Sequence, residues 1–376
     1  MALGGMAAAT LGPLPPNAEA HDYLPLPQVG ELDTAADTCA QAIETAHRMA
    51  STTGEGLALF VRSEITFQRG NLTAALNDAH QAVQLFQAVG ATSLQTAAAA
   101  VLTRVRLLRG EPSAIPAQTT GPAPRASGHP FILAMQQEAH GMVAEAQANC
   151  ALALRLYLES GRQLMAAGLL NPACSSWRSR AVILLAGFGR IWEARMLANS
   201  EIKLARFWGA PGPLGQALIA ASAANDGTAR RDMLVEAVAV LEDSGCRFQL
   251  ARGLIRLGCD MYAESAGPDR TAPDVLERGL NLAVACGAAS LVATAHRTMH
   301  AAGARPRGHL VSTRLTAAER RVAELVVTGM SNQDVATSLT LSKRTVDIHL
   351  GRIYRKLGIT GRARLGEAIA PPSASH

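Results

Sequence analysis

The sequence predicts an all-α fold in two parts: an array of helical hairpins, then a compact four-helix module. Three observations predict it. Hydrophobic residues make up 48% of the 376 positions while aromatics make up only 4%, and Ala and Leu dominate. That mix favours helix over strand and lets helix axes approach closely. Apolar residues recur at helical spacing from about Glu31 to Ala302, interrupted by Gly-bearing breaks. Finally, the segment 315–370 resolves into short helices that carry their own capping residues.

Taken in order, residues 1–30 are expected to be irregular. The start is apolar but has no basic n-region, and Pro13, Pro15 and Pro16 follow at once, so no signal peptide is predicted. The array occupies 31–302. Its breaks are Thr53-Gly54, Val89-Gly90-Ala91, Ala167-Gly168, Trp208-Gly209-Ala210, Ser244-Gly245-Cys246 and Cys286-Gly287-Ala288. Gly54 to Gly90 is 36 residues, Gly168 to Gly209 is 41, Gly209 to Gly245 is 36 and Gly245 to Gly287 is 42. A period of about 40 marks helical-hairpin solenoids of the tetratricopeptide-like kind. Glycine suits each break because a helix end favours a residue that can turn left-handed. Ala74, Ala75, Ala79, Ala82, Val83 and Phe86 form one apolar stripe; Trp192, Ala194, Leu197, Ile202 and Ala205 mark another helical pair. Such stripes either line a groove or pack as inter-helix core, and core is the reading adopted, because a solenoid buries both faces of its hairpins. The wide gap between Gly90 and Gly168 holds a Pro-rich loop, 111–130. A basic linker, 303–314, leads to the module, and 371–376 is a tail.

In the module, Thr316-Ala317-Ala318-Glu319 reads as a capping box for a first helix whose buried face is Val322, Leu325 and Val326, stopped by Gly329. Ser331 is placed to cap a second helix with Val335, Ala336 and Leu339 inward. Thr340-Leu341-Ser342 makes a short turn, and Ser342 caps a third helix. Two short helices joined by such a turn form a helix-turn-helix. Val346, Leu350, Ile353 and Leu357 recur at core spacing on the third helix, leaving Arg344, Asp347, Ile348, Gly351, Arg352 and Arg355 on the opposite face. A mid-helix Gly costs about 1 kcal/mol relative to Ala. Close approach to a DNA groove explains Gly351, with Ile348 meeting a thymine methyl; the alternative is that Gly351 is merely tolerated.

Charge is concentrated in the same place. From Gly303 to Ala370 twelve Lys and Arg face five Asp and Glu, a net +7 that leaves −2 for the other 308 residues of a chain whose total is +5. This is the footprint of a polyanion-binding module, although an Arg-rich soluble tail explains charge alone equally well. Catalytic signals are missing: there is no GxxxxGK[ST] phosphate loop and no GxSxG elbow. Gly209, Gly212 and Gly215 follow no strand and read as a helix stop and restart. His296 and His300 have metal-ligand spacing but lack the general-base Glu between them. No enzyme activity, cofactor or metal is therefore predicted. Six cysteines stand singly without a CxxC pair, as expected of a reduced, cytoplasmic protein. No apolar run reaches bilayer length, so no membrane partner is predicted.

The residues Leu315-Thr316-Ala317-Ala318-Glu319-Arg320-Arg321-Val322-Ala323-Glu324-Leu325, Gly329-Met330-Ser331-Asn332, Thr345-Val346-Asp347-Ile348-His349-Leu350 and Tyr354-Arg355-Lys356-Leu357-Gly358-Ile359 resemble the LuxR-type DNA-binding domain. The resemblance spans the module without gaps. It implies a transcriptional regulator that binds double-stranded promoter DNA as a homodimer, with the third helix in the major groove and dimer contacts from about Arg362 to Ile369. The family's base-reading positions fall on Asp347, Ile348 and Gly351. Many members carry Lys at the first and Lys or Asn at the last, so this chain departs from the family at both. Backbone anchoring then falls to Lys343, Arg344, Thr345, Arg352, Arg355 and Lys356. Upstream, Asn171-Pro172-Ala173, Trp177-Arg178-Ser179, Gly287-Ala288 and Gly303-Ala304-Arg305-Pro306-Arg307 are similar to the large ATP-binding LuxR regulators. Those carry an NTPase before the repeats; here it is absent, as in a shortened relative or a C-terminal portion of one. The repeats are expected to receive a protein partner or effector. The rival readings are a helical-repeat adaptor and the non-catalytic part of an ATP-driven regulator.

Overall fold

The computed structural model describes residues 32–111, 129–264, 271–301, 317–339, 342–357, 361–362 and 365. The expected irregular start, the linker 303–314 and the tail lie outside the described residues, as does most of the Pro-rich loop. The chain divides into two compact units, Met1–Arg305 and Pro306–His376. Sixteen α-helices and no strand are found among the described residues, so the fold is all-α. No helix among them is long and apolar enough to cross a membrane.

The first unit contains α1 (Leu32–Arg48), α2 (Thr52–Gln68), α3 (Leu72–Ala88), α4 (Thr92–Leu108), α5 (Pro130–Ala146), α6 (Cys150–Ala166) and α7 (Trp177–Gly187). It continues with α8 (Ile191–Trp208), α9 (Pro211–Ala221), α10 (Gly227–Leu241), α11 (Arg247–Glu264), α12 (Ala272–Ala285) and α13 (Ala289–Ala301). Pro130, counted with the loop in the sequence, is the first residue of α5, where a missing amide hydrogen costs nothing.

Each of α1 to α6 is 17 residues long, and a left-handed residue follows the helix at Ala50, Gly70, Gly90 and Gly110. The next residue often caps the following helix: the Ser51, Asn71 and Asn149 side chains accept from the amides of Gly54, Ala74 and Leu152 at 3.2, 3.0 and 3.2 Å. The breaks expected at Gly90, Gly168, Gly209, Gly245 and Gly287 are all left-handed turns. The break expected at Gly54 is not. Gly54 lies inside α2, and Ala50, at φ 51°, makes that turn. The punctuation therefore recurs once per helix rather than once per hairpin.

Consecutive helices pack closely because small residues face large ones. A Cβ on Gly141 would lie 2.5 Å from the Tyr157 ring, and one on Gly161 would lie 2.5 Å from that of Trp177. Of the first predicted stripe, Ala75, Ala79, Ala82 and Phe86 are buried. The second is corrected: its residues belong to the single helix α8, and Trp192 is 74% exposed while Ala194, Ile202 and Ala205 are buried.

A stacked solenoid joins each repeat only to its neighbours. Here the array also closes on itself. The Phe67 and Phe248 rings meet at 5.2 Å. The Leu72 amide donates to the Cys286 carbonyl at 3.3 Å, and the Ser290 hydroxyl donates to the Leu108 carbonyl at 2.7 Å. One buried cluster accordingly joins Phe60, Phe67, Leu72 and Val101 to Phe248, Cys286 and Ala288, bringing α2 to α4 against α11 to α13.

The closed interior holds charge. Arg62 grips Asp78 through two bonds of 2.8 and 2.7 Å, and Arg104 pairs with Glu64. Glu201 is 1% exposed. Burial pushes its carboxyl up to about 7, against the Ser179 hydroxyl at 2.9 Å and the nearby Arg178, which favour the ionised form.

Two consequences follow from this interior. A Cβ on Gly70 would meet Cys286 Sγ at 2.5 Å, whereas one on Gly90 would meet nothing within 4 Å; both backbones are left-handed, at φ 80° and 71°. Gly70→Ala is expected to destabilise the array by about 1–3 kcal/mol more than Gly90→Ala, because only the former also overpacks a contact. Urea unfolding followed by tryptophan fluorescence reads this, since Trp177, Trp192 and Trp208 are the chain's three tryptophans and all lie in the array. Equal losses would mean that the closing contact adds no stability. The second consequence concerns pH. Because the folded Glu201 pKa lies above its ordinary value of 4.5, its contribution is complete below about 4.5 and is lost as pH rises through about 7. Between pH 5 and 8 the wild type should lose roughly 2–4 kcal/mol more than Glu201→Gln. Parallel pH profiles for the two proteins would refute this.

Candidate nucleic-acid interface

The second unit contains α14 (Ala317–Val327), α15 (Asn332–Ser338) and α16 (Lys343–Leu357). Local sequence sets each boundary. Gly329, at φ 95°, ends α14. The Ser331 hydroxyl accepts from the Asp334 amide at 3.3 Å while the Asp334 carboxylate accepts from the Ser331 amide at 3.2 Å, a reciprocal cap that opens α15. The Ser342 hydroxyl accepts from the Thr345 amide at 3.1 Å and opens α16. The caps predicted at Ser331 and Ser342 are therefore present. Thr316, predicted to cap the first helix, lies outside the described residues.

A small core holds α16. Val322, Ala323, Val326, Val335, Ala336, Val346, Leu350, Ile353 and Leu365 are all buried together. Val346, Leu350 and Ile353 are spaced so that one side of α16 faces inward. Lys343, Asp347 and Gly351, one turn apart, are exposed on the other side. Thr345 is half-buried, its hydroxyl 2.7 Å from that of Ser342. Arg344, Ile348, Arg352, Arg355 and Lys356 are helical positions of α16, but their side chains lie outside the described residues. Of the expected fourth helix, only Arg362 and Leu365 are described.

Asn332, to which the sequence reading gave no role, and Arg362, expected there only among dimer contacts, complete the arrangement. The Asn332 amide donates to Asp347 Oδ1 at 2.8 Å. Arg362 in turn donates to Asn332 Oδ1 at 3.3 Å, to the Val326 carbonyl at 3.2 Å and to the Met330 carbonyl. Arg362 thereby fills acceptors at the C-terminal end of α14, where a cation is favoured. Asp347 on α16 is thus tied, through Asn332 on α15, to Arg362. No sequence signal marked this relay, because its three members are separated by 15 and 30 residues.

Gly351 is the other unusual feature. A Cβ built there meets nothing within 4 Å, so no packing among the described residues of the domain requires glycine. Gly351→Ala is expected to stabilise α16 by about 0.5–1 kcal/mol, read as slower hydrogen exchange along the helix. A loss of protection would instead reveal an internal role for the missing side chain.

Residues 313–367 match the family described as bacterial regulatory proteins, luxR family. HTH-type transcriptional regulators of Mycobacterium bovis and Mycobacterium tuberculosis are 46% identical to this chain over 56 residues, which is 15% of this chain but only 6% of theirs. The spore germination protein GerE of Bacillus subtilis is 38% identical over 50 residues, covering 13% of this chain and 68% of GerE. The crystal structure of BtubC (BKLC) from P. vanneervenii overlaps 77% of this chain and 97% of its own at 11% identity, with a TM-score of 0.33. With its capped α14 to α16, its buried aliphatic stripe and these relatives, the chain belongs, through its C-terminal domain, to the luxR family of bacterial regulatory proteins.

Proposed function

We propose that this protein is a transcriptional regulator that binds promoter DNA as a homodimer through α16, with the helical array receiving an effector or protein partner. The observation that carries the reading is the outward side of α16, where Lys343, Asp347 and Gly351 are exposed while Val346, Leu350 and Ile353 hold the helix to the module's aliphatic core. Major-groove entry places Asp347, Ile348 and Gly351 against base edges. Lys343, Arg344, Thr345, Arg352, Arg355 and Lys356 then meet phosphates and set the register. The missing side chain at Gly351 gives the groove floor room. Asp347 accepts from Asn332 through Oδ1, which leaves Oδ2 for a cytosine amine, a base preference unlike that of a lysine at the same position. The relatives named as HTH-type transcriptional regulators support a regulatory rather than a catalytic role. Only 56 residues of this chain correspond to those proteins, 6% of their length, so the inducing signal is proposed on this chain's own residues.

Electrostatics supply the test. DNA affinity measured by gel shift on genomic promoter fragments is expected to fall steeply as salt rises, with a log–log slope of about −0.9 per neutralised phosphate. Arg352→Ala with Arg355→Ala removes two contacts per protomer, so the slope should shrink by about 4 for a bound dimer and about 2 for a monomer. Binding that ignores salt, or a double variant with wild-type affinity, would leave the adaptor reading in its place. In the same assay Gly351→Ala should weaken specific binding while its helix is stabilised.

A further inference from the structure

Closure of the array encloses a partly open cavity of about 170 Å³. Polar side chains from six helices line it, among them Glu64 on α2, Arg104 on α4, Glu138 on α5, Arg180 on α7, Gln216 on α9 and both Gln249 and Arg252 on α11. The anions in this wall are already satisfied. Glu64 holds Arg104. Glu145 accepts from the Tyr157 hydroxyl at 2.8 Å and from Arg180 at 3.2 Å. Glu138 accepts from the Ser175 hydroxyl at 2.5 Å, from the Ser176 amide at 3.1 Å and from the Ser176 hydroxyl.

One cation is not. Arg252 makes one bond to a neutral group, donating to Gln249 Oε1 at 2.9 Å. Gln249 is itself oriented by donating to Gln216 at 2.8 Å. No carboxylate pairs with Arg252 among the described residues, and the surface it still exposes borders the cavity. Burial, followed by the charges of Arg180 and Arg256, brings its pKa down to about 10, with the Glu145 carboxylate offsetting only part of this. The buried Nε atoms of Arg104 and Arg180 also lack acceptors. A buried charge left without a partner is costly, and here the space for that partner is already present.

Apolar side chains make up part of the wall as well. Phe67 and Phe248, the pair that closes the array, stand there with Phe131 and Met135. A closed cavity of about 150 Å³ accommodates a benzene-sized molecule, so the occupant has on the order of six to ten heavy atoms. We infer that this cavity binds a small organic carboxylate, its anionic group on the Arg252 guanidinium and its apolar body against Phe67, Phe131 and Phe248. The inference rests on the reading of the array as an effector receiver and supplies the chemical class of the effector.

Benzoate is the probe, with benzamide as its uncharged analogue and inorganic phosphate as an anion without an apolar body. Titrated into the full chain and followed by tryptophan fluorescence and calorimetry, benzoate is expected to bind one per chain. Benzamide and phosphate should bind at least about tenfold more weakly, the effect of one charged hydrogen-bonded contact. Arg252→Gln should lose that preference. Gln249→Glu offers a second route that does not remove the buried cation: it supplies an internal carboxylate to Arg252, and it should raise the thermal midpoint while abolishing benzoate binding. No binding of benzoate, equal affinity for benzamide or phosphate, or unchanged binding in both variants would overturn the site. The gel-shift titration on the same preparation judges the DNA-binding reading separately. Salt-dependent DNA binding without benzoate binding removes this inference alone, whereas benzoate binding by a protein that ignores DNA removes the regulator reading instead.

Discussion

Three-residue turns built around a left-handed residue govern the array. Ala50, Gly70, Gly90 and Gly110 each follow a helix and stand 20 residues apart, so successive helices have equal length and pack along their whole extent. Where the facing residues are Gly and Ala against Tyr, Trp and Leu, the axes come close and the packing tolerates little change of volume. The array built on these turns ends with α11 to α13 against α2 to α4. An open stack hydrates the inner ends of its side chains. A closed one has to satisfy Arg62, Arg104, Glu138, Arg180 and Glu201 internally, and it does so pair by pair except at Arg252.

The two units draw on different physics. In the array, burial of small side chains supplies the stability, and net charge there is close to zero. The C-terminal module has a small core of nine buried residues and carries the chain's excess of positive charge. So few buried residues hold three short helices because each boundary is set locally, by the Ser331–Asp334 box, by Ser342 and by Gly329. Local capping fixes where α16 begins, and therefore which of its residues face outward.

That difference explains what could be read from the sequence. The module was legible almost residue by residue, since caps lie within four positions of what they cap and the Val346, Leu350, Ile353 stripe repeats within one helix. The array's helical content and five of its glycine turns were legible for the same reason. The break placed at Gly54 was not, because the turn is made by Ala50, a residue type that gives no hint of a positive φ. The finer one-per-helix rhythm was hidden by searching for a hairpin-length period. Closure left no local trace at all: Phe67 and Phe248 are 181 positions apart, and each has the burial expected of any core aromatic. The Arg362–Asn332–Asp347 relay and the carboxylate-free setting of Arg252 share this origin, being properties of residues brought together by the fold rather than of any motif.

Natural chains break a local rule mainly where something else compensates. Gly351 gives up helix stability although nothing among the described residues of its domain occupies the space, and Arg252 stays charged in an interior where Arg62, Arg104, Arg178 and Arg180 each have a carboxylate or a stack. Arg178 shows what internal compensation looks like: it lies 4.6 Å over the Trp177 ring with Glu201 nearby. Neither Gly351 nor Arg252 has such an arrangement. In both places the deficit has a definite shape, a surface without a side chain in one and a cation without an anion in the other. On the two readings proposed above, a partner from outside the chain, duplex DNA at the first and a small carboxylate at the second, supplies the term that the fold itself omits.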